Sequence, residues 1–573
     1  MPSWRKLSSA RLALAVFAAL AAAVSSAPAA AQTPLRAQVQ NALSFVEQRL
    51  LHAIDEIDEP DRYPKSTNRS TGRWTTSSSD SWTSGFFPGQ LWLVYEYTGN
   101  EALRTAAEAW TAGLDEEASR TDTHDVGFMI LTSFGQAFRI TGSASYQQTV
   151  LTAAASLDTR FDPDVGATQS WDRDEWEFPV IIDNMMNLEL LFWGSRNTAN
   201  PAQAATWFGH AVSHADVTAA SHVRPDGSTY QLVDFDAGDG SILSRETVQG
   251  YGDETTWSRG QAWGLYGFTM VHRETGEPRF LAVARTLADW FVAHLPPDAV
   301  PYWDFQAPGI PNEPRDSSAA AIAASGLLEL SQRVGDPVER ERYFGAAEAI
   351  LASLLSDAYL SDGVESSGIL LHGTGNRPRN REVDVSLIYG DYYFTEALLR
   401  YLDVTTPACS NGVDDDADGL ADFPTDPGCD VAEDASERSP LLPCDDGLDG
   451  DGDGFTDYVA DANGDGISDP PGDPACHDPR GAKERTQCQD GIDNDARVGT
   501  DFDAGVSILG AGHGDPSGPD PECVGRPWRD REASRSCGLG FELAPALAAL
   551  VGVARRRGRS AARGRGGASI IPA

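Results

Sequence analysis

No cysteine precedes Cys409 in this chain, although seven occur from that position on. A disulfide framework and thiol chemistry are therefore excluded from the first 408 residues. Positive charge is scarce as well, with a formal net charge of −41. Such a surface repels phosphates, which argues against nucleic acid as a partner and for dissolved cations. Long apolar runs are missing too. The best, LALAVFAALAAAV, follows Arg5, Lys6 and Arg11 and is too short to span a membrane comfortably. With the small residues APAAAQ behind it, it reads as a secretory signal peptide over residues 1–31, cut after Ala31. Alternating apolar and polar residues form no strand pattern of any length in the body of the chain.

What is present from about residue 38 to 403 is helical periodicity, punctuated by one kind of join. YTGNEAL, ITGSASY, NTANPAQ, ETGEPRF and RVGDPVE each separate two amphipathic runs. Gly, or Asn or Asp in its place, ends one helix, and the following Pro, Ser or Glu suits the first turn of the next. The spacing predicts helices near 38–56, 84–97, 100–117, 124–140, 143–160, 181–197, 200–218, 257–273, 278–295, 316–333, 337–356 and 386–402. Six helical hairpins imply an all-α fold, an (α/α)6 barrel, over residues 32–404. The odd-numbered helices are ordinary one-faced helices. The even-numbered ones open on unusual strings such as HDVGF, IIDNMMN and WSRGQAW, so polar and aromatic residues collect around one mouth of the barrel.

Gln249, Trp257, Arg259, Gln261 and Trp263 crowd within fifteen residues at that mouth. Indoles beside a guanidinium and carboxamides can stack on a sugar ring and grip a carboxylate. Asp125 and Asp183 stand where two inner helices begin. Either could simply cap its helix. An apolar neighbourhood and a second carboxylate would instead keep a proton on Asp183 near neutral pH, against the pull of the helix N-terminus.

The strings HDVGF at 124–128, IIDNMMN at 181–187 and STY…WSRGQAW between 228 and 263 together resemble the unsaturated glucuronyl hydrolases of glycoside hydrolase family 88. PYWDF, RDSSAAAIAASGLLEL, LLHGTGN and SLIYGDYYFTEALLR extend the resemblance across nearly all of residues 38–403. It implies the same barrel and a hydrolase with no cofactor for catalysis. The expected substrates are lyase-generated oligosaccharides, which lose a 4,5-unsaturated glucuronic acid from the non-reducing end through hydration of the vinyl ether double bond. It assigns Asp183 as the acid/base and Asp125 as the supporting carboxylate. Trp82, His124, Gln231, Gln249, Trp257, Arg259 and Trp263 fall where the family binds the sugar. Where the family has a His after STY, this chain has Gln231, which cannot carry positive charge. The unsaturated rhamnogalacturonyl hydrolases share fold and reaction, but WSRGQAW favours the glucuronyl type. A non-catalytic, calcium-dependent glycan-binding surface protein is the alternative from another class, and retention of both aspartates argues against it. His214 is open to a structural or a site role, Asp316 and the serines of RDSS to capping, and the HGTG loop to facing the second sugar.

Residues 405–536 form an irregular extension rich in Asp, Gly and Cys that holds over half of the net charge. Three units begin and end in Cys, making 409–429, 444–476 and 488–523 the economical disulfides, with fourteen other pairings of the six open. Oxygen side chains alternate at Asp414, Asp416, Asp418 and Asp422, at Asp449, Asp451, Asp453 and Asp457, and at Asp461, Asn463, Asp465 and Asp469. A Gly for the bend suits a hard cation such as Ca²⁺. The units resemble thrombospondin type 3-like calcium repeats; a solvated acidic spacer is the plain alternative. Without metal the segment has too little apolar surface to fold. Residues 537–573 place Cys537-Gly538, a short apolar run and an Arg cluster in series. That order resembles the C-terminal sorting tags of myxobacterial surface proteins, and a weak membrane helix with a basic stop is the alternative. The expectation is an exported protein at the cell surface or outer membrane, or released from it. Its partners there are the C-terminal processing machinery and the cell envelope.

Overall fold

A computed structural model describes residues 34–432, 434–450, 454–462, 468, 472–481, 483, 486, 519 and 523. The signal-peptide segment and the residues from Cys537 onward lie outside the described residues. The chain divides into two compact units, one ending at Thr405 and one starting at Thr406.

The first unit is built on twelve helices, each within a few residues of its predicted place. They are α1 (Leu35–Ile57), α2 (Phe86–Thr98), α3 (Glu101–Ala112), α4, α5 (Ala144–Asp158), α6 (Asn184–Asn197), α7 (Pro201–Ser221), α8 (Ser258–Thr275), α9 (Pro278–Ala293), α10 (Ser317–Arg333), α11 (Pro337–Leu354) and α12 (Ile388–Thr405). Helix α4 is π-helical over Gly127–Gly135 and becomes α-helical over Gln136–Thr141. The even-numbered helices pack in a closed ring, α2 on α4, α4 on α6, and so on until α12 meets α2. Their burial is nearly all-round: the whole of α8 from Ser258 to Val271 is buried. Odd-numbered helices bury one face each, as in α3, where Leu103, Ala106, Ala107 and Trp110 point inward. This is the (α/α)6 barrel.

The joins work as their composition predicts. Gly99, Gly142 and Gly276 end α2, α4 and α8 at positive φ. Asn100, Asn200 and Asp336 accept hydrogen bonds from the first free amides of α3, α7 and α11.

Strands, which periodicity did not predict, occur as short antiparallel ribbons in the loops ahead of inner helices. They are β1 (Tyr63–Thr67) with β2 (Trp74–Ser77), and β3 (Phe161–Asp162) with β4 (Ala167–Thr168). A three-stranded sheet joins β5 (Phe178–Ile181), β6 (Leu232–Phe235) and β7 (Ile242–Glu246), and β8 (Gly373–Asn376) pairs with β9 (Arg381–Val385). None exceeds five residues, too short for a period of two to stand out.

In the second unit, disulfides join Cys409 to Cys429 and Cys444 to Cys476. Cys523 is also disulfide-bonded, and Cys488 lies outside the described residues. Apart from two single-turn 3₁₀ helices, Ala408–Ser410 and Pro443–Asp445, and an isolated parallel bridge between Thr456 and Gly472, its described residues are turns, bends and irregular chain.

Candidate active site

The inner helices begin around a cavity of about 500 Å³. Trp82 ahead of α2, Asp125 ahead of α4, Asp183 ahead of α6, Arg259 in α8 and Tyr389 in α12 all line it. Helix N-termini gathered at one mouth favour an anionic guest.

Asp183 follows β5 and sits at the N-cap of α6, yet its side chain makes no capping hydrogen bond. Its Oδ2 is buried without a partner. Burial pushes its pKa up to about 7; Arg259 opposes that rise and Asp125 reinforces it. The indole N–H of Trp263 is near enough to favour the anion slightly, though it falls outside hydrogen-bond geometry. The simple capping role is thereby excluded, and the carboxyl is poised to hold a proton at neutral pH.

Asp125 is half-buried and anchored by its neighbours. Thr123 Oγ1 donates to its Oδ2 at 3.0 Å, and Nε2 of His124 lies 3.2 Å from its Oδ1. The His124 ring is fully buried, with Nδ1 2.9 Å from the Ser170 carbonyl, and burial lowers its pKa. The two motif strings are clamped together. Asn187 Oδ1 accepts the Phe128 amide at 2.9 Å, and a Cβ on Gly127 would sit 2.5 Å from that same oxygen. Glycine at 127 thus lets α4 and α6 approach, which sets Asp125 against Asp183.

Arg259 is buried and paired with Asp316 at 2.7 Å. It also donates to the carbonyls of Thr374 at 2.6 Å and Gly375 at 2.7 Å, tying the HGTG loop to the site. Asp316 does cap α10 as well, accepting from Ser318. Gln249 lines the cavity and donates to the Gly375 carbonyl at 3.2 Å.

Six of the nine residues singled out from sequence therefore line the cavity: Trp82, His124, Asp125, Asp183, Gln249 and Arg259. Gln231, Trp257 and Trp263 stand behind it. The Oε1 of Gln231 accepts from Thr247 Oγ1 and the amides of Val248 and Gln249, while its Nε2 donates to Gln249 Oε1 at 2.8 Å. It shapes the turn that presents Gln249. The Arg259 guanidinium lies 4.6 Å over the Trp257 ring. Trp82, Phe128, Trp263 and Tyr393 follow one another at centroid distances of 5.6, 5.3 and 5.2 Å, an aromatic floor below the cavity. His214 is structural: fully buried, it accepts the Thr168 amide at 2.9 Å, and burial lowers its pKa to about 3.

Sequence reasoning missed Tyr389, the pair Lys65–Glu382 at 2.9 Å, and three arginines, Arg173, Arg379 and Arg381. Two of the arginines sit in NRPRNREV, a cationic string conspicuous in so acidic a chain. Arg173, among the acids of WDRDEW, carries no such signal.

In the second unit, carboxylate oxygens of Asp414, Asp416 and Asp418 come within 4.8 Å of one another. Asp422 turns its carboxylate to the Gly412 amide, at 2.9 and 3.1 Å. Asp457 does the same for Gly447, at 2.8 and 3.0 Å, and pairs with Arg438. Asp449 accepts the Gly454 amide at 3.0 Å, as Asp414 accepts that of Gly419. Asp461 is described; Asp451, Asp453, Asn463, Asp465 and Asp469 lie outside the described residues. Asp426, not singled out from sequence, is buried with an unpartnered Oδ2, as are Asp416 Oδ2 and Asp418 Oδ2. Burial first, then neighbouring carboxylates, raise Asp418 to about 7 and Asp426 to about 6. Orphaned, mutually repelling oxygens of this kind fit a hard divalent cation.

A buried carboxyl with a raised pKa beside a second carboxylate, in a cleft lined by charged side chains of both signs and by aromatic rings, is the equipment of a glycoside hydrolase on an (α/α)6 barrel. No protein-family model matches the sequence. The unsaturated glucuronyl hydrolase of Formosa agariphila is 39% identical over 363 residues, 62% of this chain and 89% of that protein. That of Bacillus sp. strain GL1 is 36% identical over 348 residues, 59% of this chain and 91% of the relative. Among solved structures, an unsaturated glucuronyl hydrolase specific for heparin shares 41% identity with a TM-score of 0.60, over 65% of this chain and 97% of that one. The chain belongs to the unsaturated glucuronyl hydrolases.

Proposed function

We propose that the barrel removes a 4,5-unsaturated glucuronic acid from the non-reducing end of oligosaccharides left by polysaccharide lyases. The observation that carries this is Asp183, a buried carboxyl with a pKa near 7 and a free oxygen in the same cavity as Asp125. Asp183 gives its proton to C4 of the double bond, and positive charge develops at C5 and the ring oxygen. Water adds at C5 and returns a proton to the carboxylate. The hemiketal opens and releases the neighbouring sugar. Arg259 and Gln249, next to the acid, receive the uronate carboxylate. Support comes from solved relatives in complex with dGlcA-Glc-Rha-Glc and dGlcA-GalNAc6S. The test is incubation with unsaturated disaccharides from several lyases while the ultraviolet absorbance of the double bond is followed. Persistence of that absorbance with every disaccharide overturns the reading.

The second unit is read as a calcium-binding extension. Asp414, Asp416, Asp418 and Asp426 would hold the ion, with Asp422 and Asp457 shaping their loops. Asp426 opens a D-P-x-C string that recurs at Asp473 and Asp520. The buried Asp473 accepts the amide two residues on, that of Ala475, at 2.6 Å, as Asp426 accepts that of Gly428. The reading of an exported, surface-held enzyme rests on the two ends of the sequence. Deleting residues 537–573 should release active enzyme into the medium; enzyme that stays cell-bound would refute this anchor.

A further inference from the structure

The barrel holds a second cavity, of about 300 Å³, that shares no lining residue with the first. It lies toward the C-terminal ends of the inner helices. Glu189 and Trp193 follow Asp183 along α6, and Tyr393 and Glu396 follow Tyr389 along α12. Phe128 and Tyr393, part of the aromatic floor of the front cleft, form its roof. One wall is the π-helical stretch of α4, whose Gly127, Leu131, Thr132 and Gly135 line it. Such wide helical turns are rare and concentrate at functional sites. The reaction at the front mouth makes no use of this chamber.

Its walls are aromatic. Phe138 and Trp193 meet at 88° with ring centroids 5.5 Å apart, and Tyr392 and Tyr393 at 84° and 5.1 Å. Among the described residues no Arg or Lys lies over any of these four rings, whereas Arg400 already covers Tyr266 at 5.0 Å. The cations that line the chamber are answered: Arg139 by both oxygens of Glu96 at 2.6 Å, Arg400 by Glu329 at 2.6 Å. Glu189 spends Oε1 on Arg273, and its Oε2 accepts no hydrogen bond among the described residues. Glu396 accepts from Ser325 at 2.5 Å and from Tyr266 at 3.0 Å. The Tyr393 hydroxyl is buried and makes no hydrogen bond among the described residues. Burial first, then Tyr266, Glu396, Tyr392 and Glu189, hold it well above the ordinary phenol pKa. The field at that hydroxyl is therefore negative, and the helix C-termini deepen it.

We infer that this rear chamber is a binding site for a small organic ammonium ion. Electron-rich ring faces attract such a cation, and the carboxylates of Glu189 and Glu396 beside them supply its counter-charge. A bare metal ion fits less well, because rings cannot replace the oxygens it would give up. A space of about 300 Å³ admits one quaternary ammonium compound or one amino sugar, not a chain of sugars. The site stands apart from the reaction at the front mouth and does not depend on it.

The test titrates the full-length protein in a calorimeter, at constant ionic strength, with choline and with glucosamine. Each is paired with an uncharged counterpart, the tert-butyl analogue of choline and N-acetylglucosamine. At least one ammonium compound should bind at millimolar concentration while neither counterpart does, and which one binds tells a quaternary ammonium from an amino sugar. Glu189→Gln should weaken that binding about tenfold, and so should Trp193→Leu. Without the charge of Glu189, Arg273 keeps Glu274 at 3.1 Å and Glu329 at 3.0 Å, so this variant strands no buried cation. Circular dichroism checks the fold of both variants, and Glu189→Gln decides if Trp193→Leu does not fold. Failure of both ammonium compounds to bind, equal binding of the neutral counterparts, or unchanged affinity in the folded variants overturns the site. Each of these outcomes leaves the hydrolase reading standing.

Discussion

Asp183→Asn should cut turnover by roughly 10²-fold or more, the usual contribution of a general acid, with substrate binding retained. Steady-state kinetics together with equilibrium binding of a disaccharide check both halves. Because the acid is competent while protonated, kcat/KM should fall as pH rises through about 7. Its folded pKa lies above the ordinary carboxyl value, so the stability it confers is present at low pH and lost on the way up to 7. Melting curves of Asp183→Asn should accordingly lack that part of the decline. At Gln231 one amide oxygen accepts three donors, a load that no imidazole nitrogen can carry. Gln231→His should raise KM by loosening the turn before Gln249, and more so as pH falls through about 6.5, where the ring protonates and stops accepting. A flat KM across that range would show that the turn holds without it.

At the level of elements, the helices were legible because each join spells its own cap, Asn100, Asn200 and Asp336 among them. Asp125 and Asp183 were legible because each opens an inner helix, Asp183 directly after the apolar run Val180-Ile181-Ile182. The π-helical turn of α4 was not, since its sequence GFMILTSFG reads as ordinary helix. It arises where Gly127 packs on Asn187, a tertiary contact. Trp257 and Trp263 misled for a related reason. Indoles beside an active site and indoles under it look alike until burial is known. Gly127→Ala tests the clamp directly. The added methyl should destabilise the barrel by about 1–3 kcal/mol, visible as a lower Tm, and reduce activity further by displacing Asp125. An unchanged Tm would mean that the two helices can part at no cost.

On the scale of the whole molecule, the two units should respond separately to chelation. Adding Ca²⁺ should make residues 409–476 resist protease, an effect weakened in Asp426→Asn. Hydrolysis by a chain ending at residue 404 should continue in EDTA. Protease patterns indifferent to Ca²⁺ would leave the extension an acidic spacer. Activity lost with EDTA would place a metal in the barrel.

The row of rings from Trp82 through Phe128 and Trp263 to Tyr393 makes the cleft a blind alley. Products must leave by the route that admitted the substrate. The outer sugar should therefore depart first, and the freed acid, lodged beneath it, last. Order of departure has a kinetic signature: the monosaccharide product should inhibit competitively against substrate, whereas the shortened oligosaccharide should inhibit non-competitively. The same topology confines attack to chain ends, since an internal residue would need an exit on both sides.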